Sequence, residues 1–336
     1  MSELRYNMIS RDWVIIARER AKRPSDFKKA KGVAVELPAY EAACPFCAGN
    51  EGDCKDETFR VKDGSSWKVR AVYNKFPALS PALERTRTLD GPHHFINGFG
   101  VHEVLVEHPR HNMTIPFMKD EEVFDIIRMY KDRYEAIQRM GGIESIIIFK
   151  NHGAQAGSSQ AHAHSQLVAT PIVPPAIRTR VEQATRYSDI TGECMFCGIL
   201  KQELSEKARL VLETDSFVTF VPYAAAMPFM MWIVPRRHTT SFDEINEAEI
   251  ADLSRHLKTV LGKLYSALGN PDFNYTIRSI PVKEKGDQHF HWHINVIPRI
   301  SQPAGFELGS GIFINSSVPE DCAEFLRKAK VPAVNQ

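Results

Sequence analysis

CPFC at residues 44–47 returns as CMFC at residues 194–197, and each copy is followed by the same series of landmarks. First comes an apolar stretch ending in a basic turn, VLVEHPRHNMTI (104–115) and MWIVPRRHTTSF (231–242), with His111 and His238 at the same place in the two. A helical stripe follows. Val123, Ile126, Ile127, Tyr130, Tyr134 and Ile137 keep three-four spacing behind Asp120, a candidate N-cap, and Ile250, Leu253, Leu257, Val260, Leu261 and Leu264 repeat it. After each helix comes a strand, IESIIIFK (143–150) and FNYTIRSI (273–280), then a histidine-bearing strand, AHAHSQLVAT (161–170) and HFHWHINVIP (289–298). The repeated order predicts a duplicated α+β architecture, each copy a sheet with a helix packed on it.

The chain of 336 residues is long enough for two such units. TPIVPPAIRTR (170–180) is the candidate linker, because its prolines cannot extend a central strand. The expected domains are therefore residues 1–172 and 173–336. The polar segment EGDCKDETFRVKDGSSW (51–67) reads as an exposed loop or insertion that lengthens the first copy. With 43% hydrophobic and 25% charged residues the composition is that of an ordinary globular protein, which excludes disorder and coiled coil. A net charge of +1 is too small for general attraction to nucleic-acid backbone, so any anion must be held locally. No stretch approaches the length of a membrane span, and MSELRYNMIS lacks the order of a signal peptide, so a soluble cytoplasmic protein is expected.

In a reducing compartment, C-x-x-C spacing points to metal or redox chemistry before disulfides. A C-x-x-C turn presents two thiolates to one zinc ion, and a tetrahedral site needs two more ligands. The duplication offers them: Cys44, Cys47, His111 and one of His162 or His164 in the first copy; Cys194, Cys197, His238 and one of His289, His291 or His293 in the second. Four protein ligands make two closed, structural sites, with Cys54 and Cys322 left over as inert or exposed thiols.

Strand alternation puts His162, His164 and Gln166 on one face. Directly before them runs KNHGAQAGSSQ (150–160), whose glycines let backbone N–H groups approach a phosphate and whose serines add donors, making Asn151, Gly157, Ser158 and Ser159 candidate binding residues. A neutral imidazole is a competent nucleophile at pH 7. If His162 holds a metal, His164 is kept at a set distance from a rigid anchor, and Gln166 can donate to a phosphoryl oxygen. The second copy lacks the Gly-Ser donors and is expected to be mainly structural.

The H-x-H-x-Q strand after a Gly-Ser loop, the early C-x-x-C and the duplication resemble the histidine-triad superfamily, and within it the galactose-1-phosphate uridylyltransferase family. The resemblance runs through RERAKRP (18–24), CPFCAGN (44–50), VYNKFPAL (72–79), PRHNMT (109–114), HAHSQ (162–166) and GFE (305–307). It implies two histidine-triad-like domains. It further implies that His164 is the nucleophile taking a nucleoside monophosphate from a nucleotide sugar, that Gln166 binds phosphate, and that Cys44, Cys47, His111 and His162 bind zinc. Arg20 and Arg23 would sit near phosphates, Asn74 near the nucleotide and Glu307 near sugar hydroxyls, in a homodimer. Many family members carry His-Pro-His-Gly-Gln and hold their second metal without a C-x-x-C. HAHSQ, FKNHGA (149–154), the second C-x-x-C and GFELGSG (305–311) are more similar to the plant branch acting on ADP-glucose with phosphate, which would place a second zinc on Cys194, Cys197, His238 and His291.

The expected reaction is a two-step exchange between a nucleotide sugar and hexose 1-phosphate, of the UDP-glucose and galactose 1-phosphate type, through a nucleotidyl-histidine. An ADP-sugar phosphorylase using phosphate as acceptor is the alternative. A non-catalytic double zinc-ribbon module is the rival of another class; it leaves the loop before His162 without a purpose.

Overall fold

The computed structural model describes residues 1–20, 23–27, 37–54, 56–286 and 289–333. The chain opens with the hairpin β1 (Glu3–Tyr6) and β2 (Trp13–Ile16). The first copy supplies β3 (Glu57–Asp63), β4 (Ser66–Tyr73), a projecting hairpin of β5 (Arg87–Asp90) and β6 (His93–Ile96), β7 (Val101–Val106), helix α1 (Asp120–Gln138), β8 (Ser145–His152) and β9 (His164–Thr170). The second copy supplies helices α2 (Pro175–Thr191) and α3 (Met195–Glu206), strands β10 (Leu210–Glu213), β11 (Phe217–Phe220) and β12 (Met231–Pro235), and helix α4 (Glu247–Leu268). It continues with β13 (Phe273–Arg278), β14 (His293–Pro298), α5 (Gly305–Ser310), β15 (Phe313–Asn315) and α6 (Pro319–Lys328).

Ten strands form one sheet in the order β10-β11-β12-β14-β13-β8-β9-β7-β4-β3. The order reads the same from either end once β3, β4, β7, β9 and β8 are matched with β10, β11, β12, β14 and β13. The architecture is thus α+β and antiparallel throughout this sheet. The two expected sheets are fused into one by the pairing of β8 with β13, where Phe149 faces Thr276. β15 adds in parallel to β2 in a separate three-stranded sheet.

Both predicted helical stripes are buried in full, and α1 and α4 pack on each other and cover one face of the sheet. Lys119, not Asp120, occupies the N-cap of α1; Asp120, Glu121 and Glu122 fill its first turn, where acidic side chains favour the helix dipole. Leu167 and Ala169 of β9, with Ile294 and Val296 of β14, join this core. Alternation therefore turns His164, Gln166, His293 and Asn295 to the opposite face.

The candidate linker joins β9 to α2, and Pro175 starts that helix, where its fixed φ and missing N–H suit the first helical position. Two expectations are corrected. Residues 57–63 are not a loop but the edge strand β3, polar because much of its surface faces solvent. The extra length of the first copy is residues 74–100, which carry the β5–β6 hairpin, against residues 221–230 between the equivalent strands β11 and β12. The histidine strands also start late, at His164 and His293, because His162 and His291 turn out of the sheet toward the cysteines. Among the described residues no helix is long and apolar enough to cross a membrane.

Candidate active site and metal centres

Four side chains from three parts of the first copy meet in the core. Cys44, Cys47, His111 and His162 place their ligand atoms within 4.8 Å of one another, all buried. His162 Nδ1 lies 3.6 Å from both sulfurs, and His111 Nδ1 3.5 Å from Cys47 Sγ, as donors around a tetrahedral ion of zinc's size must. The Nε2–H of His162 donates to the carbonyl of His108 at 2.7 Å, which leaves Nδ1 with its lone pair toward the sulfurs. Burial pushes His162 down to about 4 and Cys44 up to about 11. The imidazole is therefore ready to ligate, while a thiolate pair here calls for a compensating cation. The turn is tied by Asn50, whose Nδ2 donates to the carbonyl of Cys44 at 2.8 Å.

Cys194, Cys197, His238 and His291 make the second set. His238 Nδ1 and His291 Nδ1 stand 3.3 and 3.5 Å from Cys197 Sγ. The contact with Cys197 holds the Cys194 thiol low, and the contact with Cys194 raises Cys197 in turn. Of the histidines left open by the spacing, His162 and His291 join the clusters. Cys322 is buried, and half-buried Cys54 edges the cleft described next.

His164 and Gln166 line a cleft of about 930 Å³, together with Asn74 and Ser159 among the expected residues. That volume suits a nucleotide-sized ligand. The Nδ1–H of His164 donates to the carbonyl of His162 at 2.8 Å, so Nε2 keeps its lone pair. Burial lowers its proton affinity, which keeps it unprotonated at neutral pH. Phe46, between the two cysteines, tilts against its ring at 5.5 Å.

Behind His164, on the helix-covered face, lies a buried polar network. Glu107 accepts from Lys150 Nζ at 2.6 Å, Ser165 Oγ at 2.6 Å and Tyr130 OH at 2.8 Å, and Lys150 also donates to the carbonyl of His164 at 3.0 Å. Burial alone would raise the Glu107 carboxyl, but Lys150 and the hydroxyl donors outweigh it and hold it below the ordinary range. The backbone of the candidate nucleophile is thus gripped by an ion pair inside the core.

Gln166 is oriented by a residue the sequence did not single out. The backbone N–H of Ala78 donates to His102 Nδ1 at 3.1 Å, which puts the ring proton on Nε2. That proton goes to Gln166 Oε1 at 2.7 Å. The amide NH2 of Gln166 is therefore left facing the cleft as a donor. Asn74 Nδ2 stands 3.1 Å from the same imidazole nitrogen, its Oδ1 held by the N–H of Phe76 at 2.9 Å; with the ring proton committed to Gln166 this is a close approach of two donors.

The remaining expected residues lie elsewhere. Asn151 accepts from Asn274 Nδ2 at 2.8 Å and ties the loop to β13, while Gly157 supplies a left-handed turn. Ser158 Oγ donates to the carbonyl of Gln160 at 2.8 Å. Glu307 accepts from the N–H of Ala304 at 2.9 Å and closes the first turn of α5. Arg23 is exposed, and none of these five lines the cleft. The Arg20 side chain lies outside the described residues. Lys75, unflagged in VYNKFPAL, is the basic side chain that does line it.

Comparison with known proteins agrees with this fold. The model of the galactose-1-phosphate uridyl transferase N-terminal domain matches residues 1–174, and that of its C-terminal domain residues 180–304. ADP-glucose phosphorylase of Arabidopsis thaliana is 37% identical over 98% of this chain and 93% of its own. Galactose-1-phosphate uridylyltransferase of Thermotoga maritima is 28% identical over 98% of this chain and 99% of its own. The crystal structure of an ADP-glucose phosphorylase from Arabidopsis thaliana with bound ADP-glucose superposes with a TM-score of 0.84 at 35% identity, covering 99% of this chain and 100% of that one. The chain belongs to the galactose-1-phosphate uridylyltransferase family and is an enzyme of the nucleotidyltransferase class.

Proposed function

We propose that this enzyme is an ADP-sugar phosphorylase that works through a nucleotidyl-His164 intermediate. The observation that carries the mechanism is the His164 imidazole, locked by the carbonyl of His162 with its free nitrogen on the cleft that Gln166 shares. Nε2 attacks the α-phosphorus of the nucleotide sugar. The P–N bond forms as the P–O bond to hexose 1-phosphate breaks, and that phosphate leaves with the electron pair. An oxygen of inorganic phosphate then attacks phosphorus, the P–N bond breaks, and His164 is returned with release of a nucleoside diphosphate. Because the leaving group is already a stable anion, little general acid is needed. Positioning and charge stabilisation by Gln166 NH2, Lys75 and Ser159 do most of the work.

Cys44, Cys47, His111 and His162 would hold zinc, and Cys194, Cys197, His238 and His291 a second ion. Four protein ligands leave no open position, so the metal's contribution is to stiffen the segment that carries His164.

The adenine and phosphate choice is supported by the 37% identity to an ADP-glucose phosphorylase. The Ser165 departure from the His-Gly-Gln pattern does not bear on it, since that hydroxyl points away from the cleft to Glu107. Exchange between UDP-glucose and galactose 1-phosphate is the second reading, supported by the relative from Thermotoga maritima and both family models. We propose in addition a cytoplasmic homodimer, which sedimentation and cell fractionation test.

ADP-glucose and UDP-glucose, each labelled at the α-phosphate, decide the matter. Acid-labile label on the wild type from ADP-glucose, discharged by phosphate and absent from His164→Asn, is the expected result. Preferential labelling from UDP-glucose with discharge by galactose 1-phosphate selects the second reading. Equal labelling of His164→Asn overturns both mechanisms, and no label from either nucleotide leaves the non-catalytic module.

A further inference from the structure

The sheet places a second set of polar side chains where the duplication puts the counterpart of the catalytic face. By register, His293 stands for His164, Asn295 for Gln166 and Trp232 for Val104. Arg278 pairs with His293 on β13, and Thr276 with Asn295. All five side chains lie on one face of three neighbouring strands.

Four of the five carry buried polar atoms without partners among the described residues. His293 and Asn295 are 0% exposed and Trp232 4%. His293 Nδ1–H donates to the carbonyl of His291 at 3.2 Å, but His293 Nε2, both amide atoms of Asn295, Trp232 Nε1 and Thr276 Oγ1 find no hydrogen-bond partner among the described residues. Buried polar groups are normally satisfied, and leaving several together unpaired forfeits their hydration without return. Something other than protein is therefore expected to meet them.

Charge says what. Arg278, beside His293 across the strands, has no acidic partner among the described residues, and the charge of Arg180 on α2 acts against its own. Arg180 donates Nη1 to the carbonyl of Ala176 at 2.7 Å and feels Asp12 alone as a carboxylate. Two guanidinium groups beside the donors of Asn295, Trp232 and Thr276 make an environment for an oxyanion, while His293 Nε2, its lone pair left free by the Nδ1–H bond, can accept from the P–OH of a hydrogen phosphate. Catalysis is blocked here by Trp232, whose ring stands 5.2 Å from that of His293 where the first copy has Val104; Phe196, also at 5.2 Å, only repeats the place of Phe46 beside His164. Trp232 also borders a surface cleft of about 240 Å³, which Arg209, Glu203 and Glu206 line as well.

We propose that the second copy keeps a phosphate-binding site: the recess of Arg278, Arg180, His293, Asn295, Thr276 and Trp232 takes a phosphate group, free or as the head of a monoester, and holds it without chemistry. The proposal stands apart from the assigned reaction, since it concerns binding at a site 129 positions along the chain from His164 and requires no turnover.

Equilibrium dialysis of the metal-loaded enzyme against labelled inorganic phosphate tests it, with folding followed by metal content and circular dichroism. Arg278→Gln and Asn295→Leu are each expected to bind one phosphate per chain fewer than the wild type. Arg278→Lys, which keeps the charge, is expected to retain the stoichiometry at weaker affinity and serves if the glutamine variant fails to fold. Glucose 1-phosphate as competitor separates the sources: displacement of this phosphate assigns the site to monoesters, and persistence assigns it to the free ion. Unchanged stoichiometry in folded Arg278→Gln or Asn295→Leu overturns the proposal and leaves a recess filled by water.

Discussion

His102 Nε2 on β7 and Gln166 Oε1 on β9 meet at 2.7 Å, and the direction of that hydrogen bond is set by a third group, the N–H of Ala78. A single backbone donor thus decides which end of the glutamine faces the cleft. His102→Phe keeps the ring and removes the donor, freeing Gln166 to turn its carbonyl toward a phosphoryl oxygen. The rate of nucleotidyl-enzyme formation in rapid quench should fall roughly 10- to 100-fold, with the affinity for nucleotide sugar changed far less, as for loss of one well-placed donor. His102→Gln, able to donate again, should recover part of the rate. An unchanged rate in His102→Phe removes the orienting role.

The ion pair under His164 makes a different prediction. Glu107 is fully buried, and Lys150 is its cationic partner. Lys150→Met leaves a buried carboxylate uncompensated and should cost about 3–5 kcal/mol in urea unfolding. Lys150→Met combined with Glu107→Gln should be less destabilised than Lys150→Met alone, because the orphaned charge is gone. Turnover should stay depressed in both, since neither supplies the donor to the His164 carbonyl.

The metal centres should separate in their effects. Cys44→Ser should lose one metal equivalent and most nucleotidylation, because His162 and hence the carbonyl that fixes His164 lose their anchor. Cys197→Ser should lose one equivalent as well and lower the thermal midpoint, while the folded fraction still labels on His164. Metal analysis beside the labelling assay reads both. A Cys44→Ser enzyme that labels at the wild-type rate would show that the first centre does not position the nucleophile.

Much of this was legible in sequence because it is local or periodic. The C-x-x-C turns, the stripes of α1 and α4 and the alternation of His164 with Gln166 each leave a signature within a few residues. The fusion of the two sheets leaves none: β8 and β13 are apolar strands in either case, and backbone pairing with a second copy adds no residue type. His102 looked like one more polar position in GVHEVLVE, since its meaning comes from Ala78 and Gln166, each brought in by the fold. Glu107 and Lys150 were hidden for the same reason, an acid just past β7 and a base on β8 that meet only inside the core. Asn151, Gly157 and Ser158 read as binding residues from composition but do not line the cleft, because a flexible composition does not say which side of the loop faces the ligand.

His256 on α4 predicts how the fold answers to acid. It is fully buried; its Nδ1 lies 2.9 Å from Thr214 Oγ1 and its Nε2 2.6 Å from Thr219 Oγ1, while Thr214 Oγ1 donates to Asp252 at 2.7 Å. Burial pushes the imidazole down to about 3, with Asp252 opposing too weakly to restore it. The unfolded chain carries an ordinary histidine near 6.5. Above that pH neither state takes the proton and the group's contribution is complete. As pH falls below 6.5 the unfolded state is protonated first, so stability drops continuously until the folded-state value near 3 is passed. Between pH 7 and 4.5 this one group should remove roughly 2–3 kcal/mol from the unfolding free energy. His256→Gln, which can still meet both threonines, should show a loss over that interval smaller by about the same amount. Urea titrations of both proteins at the two pH values measure the difference, and parallel losses would place the acid sensitivity on other groups.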